Sequence, residues 1–568
     1  MPLGKNVRHK HRFTRVFIYI LIIIIAAAAF VFAPNMKIIP YPIYHGLSDG
    51  AYAYVLEDEL IIMDTAPLSD GGAVYLPHVL VQNYLDEYLF WDAGAGRLTI
   101  TTPLKVIYIT ADETEYTVNY ETARLTDAVK NIDGTAYLPQ TFLSEIYGAE
   151  INYSVDTGII VIDFIENIKY TAETTKKTTL RYGPDKKTPG AVKLPAGTRL
   201  RAYENDGAFV KVRTDDGFIG YLNVNDATHT QIIAPVIKQK KEPWRPDKTK
   251  KTVLAWDLVT NATAAASPDR RVANPGVNVL SPTWFDFNEE KMDGTLNGLV
   301  NMEYLDWARV NGLAVWPLVS DNYSAAVNNA VLTVTHNRER AVRQIVDYVD
   351  LYGFDGINID FEQVRQADAP YFLQFLRELA PLLRQRGVVL SVDLYVPLYT
   401  KYYNRTEIAK TVDFIAVMAY DEHTYGSAVS GPAASVGFVE TGIADTLLEA
   451  PADMVLLGLP FYTRVWREEE KNGKLEITLK NYGMAYTKQL FVEQNAEFVW
   501  LEDAGYYYAE FSVNEDGADV IYKTWLEDNK SIEKKLRIFE SYGLAGVACW
   551  RRGLEDENVW DVIAAVVK

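Results

Sequence analysis

The chain has a single cysteine, Cys549, in 568 residues, so no disulfide can form within it and stability must come from apolar cores. Histidine is scarce. The seven present are scattered with no H-E-x-x-H or similar spacing, so the sequence carries no metal signature and no cofactor is expected. Positive charge is in deficit: the formal net charge of -19 argues against nucleic acid as a partner. No glycine-rich phosphate loop opens the α/β part, which weighs against a nucleotide-binding doubly wound sheet. What is present is an ordinary hydrophobic content of 48% and a length that calls for several domains.

The N-terminus reads as an address. Lys5, Arg8, Lys10, Arg12 and Arg15 precede an uncharged run of 18 residues, Val16 to Ala33. That is about the length that crosses a bilayer, and longer than the roughly 7–15 residues of a signal-peptide core. Pro34 makes the site after Ala33 a poor cleavage point. The expectation is a cytoplasmic basic tail (1–15), a transmembrane signal anchor (16–33) and a single-pass protein whose remainder is extracytoplasmic. Secretion after cleavage is the alternative.

Residues 38–166 hold an imperfect repeat. Tyr75-Leu76-Pro77 and Tyr137-Leu138-Pro139 each lead into an apolar helical stretch. A turn (Asp92-Ala93-Gly94, Asp156-Thr157-Gly158) then precedes a strand. This small α+β module resembles the N-terminal domain of copper amine oxidases. The resemblance implies a stalk or spacer and no copper. Residues 170–232 read as all-β, with Leu180-Arg181-Tyr182-Gly183-Pro184, Leu194-Pro195-Ala196-Gly197-Thr198 and Gly217-Phe218-Ile219-Gly220-Tyr221 as short strands and turns. They are similar to a bacterial SH3-like barrel, a family whose members often bind cell-wall peptide. A plain spacer is the alternative. Residues 236–251, polar and rich in Lys and Arg between Lys238 and Lys251, form a linker.

From 252 to 568 helix and strand alternate. Helical stretches end in glycine at Gly312, Gly353, Gly387 and Gly543, and an apolar strand follows each. Val342, Ile345, Val349 and Tyr352 share one helix face, as do Phe372, Phe375, Leu376, Leu379 and Leu383. With strands at Val253–Leu258, Val277–Ser281, Leu313–Val315, Phe414–Met418 and Val455–Leu459, the pattern predicts an α/β (β/α)8 TIM barrel. A doubly wound open sheet is the alternative. The stretch from Arg464 to Asp528, with Phe498-Val499-Trp500 and Tyr506-Tyr507-Tyr508, reads as a small α+β insertion walling the cleft.

The segment Phe354 to Glu362 is a buried strand that carries acids. Asn358, Asp360 and Glu362 share one face, and Ile357, Ile359 and Phe361 the other. Carboxylates on a buried strand are costly, so they point to an ion-pair network or to chemistry at the mouth of a barrel. Asp355 differs in parity and is expected to support the backbone where the strand starts. This segment resembles the Asp-x-x-Asp-x-Asp-x-Glu signature of glycoside hydrolase family 18, with Asn358 at the second aspartate. Met418-Ala419-Tyr420-Asp421, Gly458-Leu459-Pro460-Phe461-Tyr462 and Trp550 follow in family order at strand ends. The chain looks similar to the N-acetylglucosaminidases of spore-forming bacteria within that family.

The resemblance implies a retaining, substrate-assisted glycosidase. Glu362 is the expected proton donor and Asp360 orients the acetamido group and stabilises the oxazolinium. Tyr420 is expected to hydrogen-bond the acetamido carbonyl. Trp550 forms the sugar floor, and Met418, Asp421, Tyr462 and Trp256 are further substrate contacts. Trp284, Trp316 and Trp466 are weighed between subsites and core, and Trp525 and Glu527 are outside candidates. The expected substrate is a peptidoglycan or chitin-type glycan. A non-catalytic sugar-binding protein and a structural envelope protein remain as readings of other classes.

Overall fold

Gly353 ends the helix Thr335–Tyr352 in left-handed backbone (φ 65°), and the chain passes directly into the strand that carries the acids. Gly543 does the same after the helix Asn529–Tyr542 (φ 62°), ahead of the last strand. Such turns return each helix to a sheet whose strands run parallel. The computed structural model describes residues 38, 40–45, 51–228, 231–236, 242–515 and 517–568. Two compact units divide the chain, residues 1–99 with 108–241 and residues 100–107 with 242–568.

In the second unit eight parallel strands close on themselves. They are β1 (Thr252–Asp257), β2 (Val279–Pro282), β3 in two pieces (Ala314–Val315 and Leu318–Ser320), β4 (Gly356–Asp360), β5 (Val389–Tyr395), β6 (Phe414–Met418), β7 (Val455–Pro460) and β8 (Gly546–Trp550). Pairing runs in that order, and β8 pairs with β1, so the sheet is a closed (β/α)8 barrel and not an open doubly wound sheet. The first piece of β3 pairs with β2 and the second with β4. The break falls at Trp316-Pro317, because proline has no N–H to give to a ladder. The Leu313–Val315 reading of this strand captures only its first piece.

Alternation along the strands sorts the side chains. Leu254, Trp256, Trp316, Leu318, Val389, Phe414, Ala416, Leu456 and Ala548 pack into one buried cluster. On the opposite face of β4, Ile357 and Ile359 are buried, and Phe361 just beyond the strand lies against Phe287, Phe372 and Phe375 at 5.1, 5.6 and 5.3 Å between ring centroids. Gly356 opens β4 because a Cβ there would come within 2.4 Å of the Trp316 ring. Between β7 and β8 the chain leaves the barrel for a five-stranded antiparallel sheet, Tyr462–Lys471 to Ala518–Leu526, covered by the helix Met484–Glu493. This is the expected α+β insertion.

In the first unit the two repeats meet edge to edge in one sheet. Ala73–Pro77 pairs antiparallel with Thr135–Pro139, and Leu76 lies opposite Leu138, so one Tyr-Leu-Pro runs against the other. Each proline stands at the N-cap of a helix, His78–Tyr84 and Gln140–Tyr147, whose buried leucines and neighbours fill the core. Lys169–Ile233 contributes a seven-stranded sheet around Leu180, Leu200, Val212 and Leu222. Among the described residues no helix is long and apolar enough to cross a membrane. The expected anchor at 16–33, the tail before it and part of the 236–251 linker lie outside the described residues.

Candidate active site

Asn358 sits at the centre of the barrel, fully buried, with every polar atom of its amide engaged. Its Oδ1 accepts from Trp256 Nε1 (2.8 Å) and Ser281 Oγ (3.2 Å), and its Nδ2 donates to Ser391 Oγ (3.0 Å) and Asp393 Oδ1 (2.7 Å). Three other strands, β1, β2 and β5, thus tie into one side chain, which fixes the height and rotation of β4. Asp360 lies one inward step above, buried, and its Oδ1 has no hydrogen-bond partner among the described residues. Burial drives its carboxyl well above the ordinary range, and the charges of Glu362, Asp393 and Asp321 add to that.

Glu362 stands two residues past the end of β4, where it faces the barrel mouth. Its pKa is raised to about 7, first by burial and then by the negative charges of Asp321 and Asp421. Hydroxyls of Tyr395 and Tyr323 oppose the rise by donating to the carboxylate. The chain beyond Glu362 is pinned by Asp321, whose Oδ2 accepts from the Gln363 amide (2.7 Å) and from Asn328 Nδ2 (2.5 Å). Asp355, exposed at the other end of the strand, accepts from the Val315 amide (2.9 Å), the backbone support expected of it.

A cavity of about 450 Å³ lies over these acids, and Trp256, Met418, Tyr420, Asp421, Tyr462 and Trp550 line it together with Asp360 and Glu362. Trp550 meets Trp256 edge to face at 5.9 Å, and Tyr420 meets Tyr462 in the same way at 6.1 Å. Asp421 adopts left-handed backbone (φ 67°) and accepts from the Tyr462 hydroxyl and the Arg464 guanidinium, so it anchors its loop as well as walling the cavity. Burial pushes the hydroxyls of Tyr420 and Tyr462 well up, so both stay protonated and able to donate.

Three tryptophans weighed as subsites belong to the core. Trp284 packs on Tyr304 and Phe354, and Trp316 stacks on Phe414 inside the barrel. Trp466 is buried with its Nε1 on Gly431 O (2.8 Å). A buried indole that finds a backbone acceptor has no reason to face a ligand. Glu527 is a buried ion-pair partner of Lys535 (2.8 Å), away from the cavity, and Trp525 packs on Tyr508. Sequence reasoning missed Asp321, Tyr323, Asp393 and Tyr395, which all face the acids. It also missed Tyr425, which like Tyr323 is an exposed residue at the cavity rim (70% and 60%). One signal was available: Asp393 breaks an apolar strand, Val389 to Leu394, as Asp360 does.

Residues 310–555 match the family described as Glycosyl hydrolases family 18, and residues 55–162 match the copper amine oxidase N-terminal domain. A Bacillus subtilis (strain 168) protein provisionally named a sporulation-specific glycosylase, YdhD, is 29% identical over 267 residues, which are 45% of this chain and 61% of that protein. The cortical fragment-lytic enzyme of the same organism is 25% identical over 250 residues, 43% of this chain and 57% of that enzyme. The chain therefore covers less than two thirds of the length of either relative. Among solved structures, the C-terminal domain of a provisionally named chitinase from Desulfitobacterium hafniense DCB-2 superposes with a TM-score of 0.51 at 21% identity, over 56% of this chain and all of that one. Residues 310–555 are thus similar to family 18 glycosyl hydrolases and residues 55–162 to the copper amine oxidase N-terminal domain, and the barrel shares its fold with the solved neighbour.

Proposed function

We propose that this chain cleaves β-1,4 bonds after N-acetylglucosamine in bacterial peptidoglycan, from a membrane anchor at 16–33, by a substrate-assisted retaining mechanism. One observation carries the reading. A carboxyl raised to about pKa 7 stands at the barrel mouth beside a second, buried carboxyl from the same strand. Two acids on one strand approach a sugar from the same side, so neither is set opposite the other as nucleophile and acid would be. The substrate's own 2-acetamido oxygen fills the missing role.

Glu362, protonated near neutrality, gives its proton to the leaving oxygen. The acetamido oxygen attacks the anomeric carbon as that bond breaks. Asp360 accepts the acetamido N–H and stabilises the positive oxazolinium, and Tyr420 donates to the acetamido oxygen. Glu362, now a carboxylate, takes a proton from water, which opens the ring with retention. Trp550 and the Trp256 edge form the floor under the reacting sugar, with Met418, Tyr462 and Asp421 on the wall.

Two relatives are named a cortical fragment-lytic enzyme and a sporulation-specific glycosylase, which supports a cell-wall glycan, while the solved neighbour's name keeps chitin as the alternative. The two-repeat module over 38–166 serves as a stalk and the β-rich module over 170–232 as an SH3-like spacer or wall-peptide binder, with 236–251 as tether to the barrel at 252–568. Product analysis tests the reading. Purified glycan strands treated with the full chain should yield reducing-end N-acetylglucosamine, and Glu362→Gln should yield no product. Reducing-end N-acetylmuramic acid would indicate muramidase action, cleavage of chitin alone would make it a chitinase, and unchanged hydrolysis by Glu362→Gln would refute the catalytic assignment.

A further inference from the structure

Asp393 is a buried carboxyl that the mechanism above leaves unused. It projects inward from β5 and lines the same cavity as Asp360 and Glu362. In the parallel register of β4 and β5, Asn358 pairs with Ser391 and Ile359 with Val392. The next step along that register sets Asp360 beside Asp393. Neighbouring strands lie about 4.8 Å apart, so the negative charge of Asp393 acts on the Asp360 carboxyl.

Asn358 distinguishes the two. Its Oδ1 is committed to Trp256 and Ser281, which turns its N–H group toward β5 and onto Asp393 Oδ1 (2.7 Å). Asp360 Oδ1, by contrast, is buried with no donor among the described residues. Two adjacent carboxyls in a site shielded from water do not both ionise, and a donated hydrogen bond favours the anion on the one that receives it.

We propose that Asp393 is a positioning residue for Asp360, held as the anion by Asn358 and sharing one proton with Asp360 through the reaction. In the resting site the proton rests on Asp360. As positive charge forms on the oxazolinium, the proton passes to Asp393 and Asp360 accepts the acetamido N–H as an anion. The pair keeps a total charge of minus one throughout. The inference rests on the substrate-assisted reading above. Glu362 from β4, Asp321 beyond β3, Tyr395 at the end of β5 and Tyr420 and Asp421 beyond β6 are the other titratable groups around this layer. Loss of the Asp393 charge should make these carboxyls easier to ionise.

The test uses the full chain and a fluorogenic aryl glycoside of chitobiose. Asp393→Asn keeps the shape and an acceptor for Asn358 while removing the charge. It should lower kcat by about tenfold or more with KM within about twofold, and move the basic limb of the pH profile to lower pH. The exchange Asn358→Asp with Asp393→Asn returns a carboxyl next to Asp360, one inward step lower on β4, and should recover activity to within about tenfold of the parent. Parental kcat and pH profile in Asp393→Asn would overturn the proposal, as would an exchange variant no better than the single one. If Asp393→Asn does not fold, the exchange variant decides alone on the same tenfold criterion. Glu362→Gln run in parallel separates the failures: an active Glu362→Gln sinks both readings, whereas an inactive one beside a parental Asp393→Asn sinks only this one.

Discussion

The Tyr395 hydroxyl donates to Glu362 Oε2 from the end of the neighbouring strand. A donor on a carboxylate favours its ionised form, so Tyr395 works against the burial that raises Glu362 to about 7. The acid form of Glu362 is the competent one, and activity should fall as pH rises through that value.

Tyr395→Phe removes the donor and should therefore carry the basic limb of kcat/KM above pH 7, with a lower plateau because Glu362 is less well held. A pH–rate profile of the variant checks this, and an unmoved limb would separate Tyr395 from the titration of Glu362.

Asp321→Asn should act in the opposite direction. Asp321 is fully buried, and its negative charge helps keep the proton on Glu362. Asparagine keeps one acceptor for the Gln363 amide but loses the charge. The basic limb should move below pH 7, and the two variants measured side by side should bracket the parent.

Glu362→Gln should stabilise the protein at alkaline pH. The folded carboxyl releases its proton near 7, whereas the ordinary value is 4.5, so between these the folded state binds more protons than the unfolded one. Stability present below 4.5 is lost as pH rises through 7. Glutamine does not ionise, so its gain over the parent should grow across that window, by on the order of 1–3 kcal/mol at pH 8. Denaturant unfolding at pH 4 and pH 8 measures the difference.

Gly356→Ala should destabilise the barrel by about 1–3 kcal/mol, because the new methyl meets the Trp316 ring at 2.4 Å. Pairing it with Trp316→Leu should recover part of the loss. The same denaturant titrations report both.

Much of this arrangement is legible in the sequence because β4 obeys a period of two. Apolar Ile357 and Ile359 facing outward leave Asn358 and Asp360 only the barrel interior, and the helix-ending glycines mark where each strand begins. What escaped reading was contributed by other strands. Tyr395 and Asp393 alternate with Val392 and Leu394, a pattern that equally describes a half-exposed strand. Asp321 lies in Ser320-Asp321-Asn322-Tyr323, which reads as a turn, and only closure of the barrel brings it under Gln363. Tryptophan identity alone did not separate wall from core: Trp256 and Trp316 both enter the barrel, but only Trp256 lies high enough to line the cavity. The two pieces of β3 show how a single proline redistributes pairing between neighbours without opening the sheet.

In the proposed mechanism the substrate's amide attacks its own anomeric carbon while Glu362 supplies the proton. Hydrolysis of N-acetylated chito-oligosaccharides and of their fully de-N-acetylated counterparts by the full chain tests it most directly, with the first product anomer followed by NMR. Rapid release of the β-anomer is expected from the acetylated series, with no turnover of the other. Equal rates on both series, or initial release of the α-anomer, would contradict it.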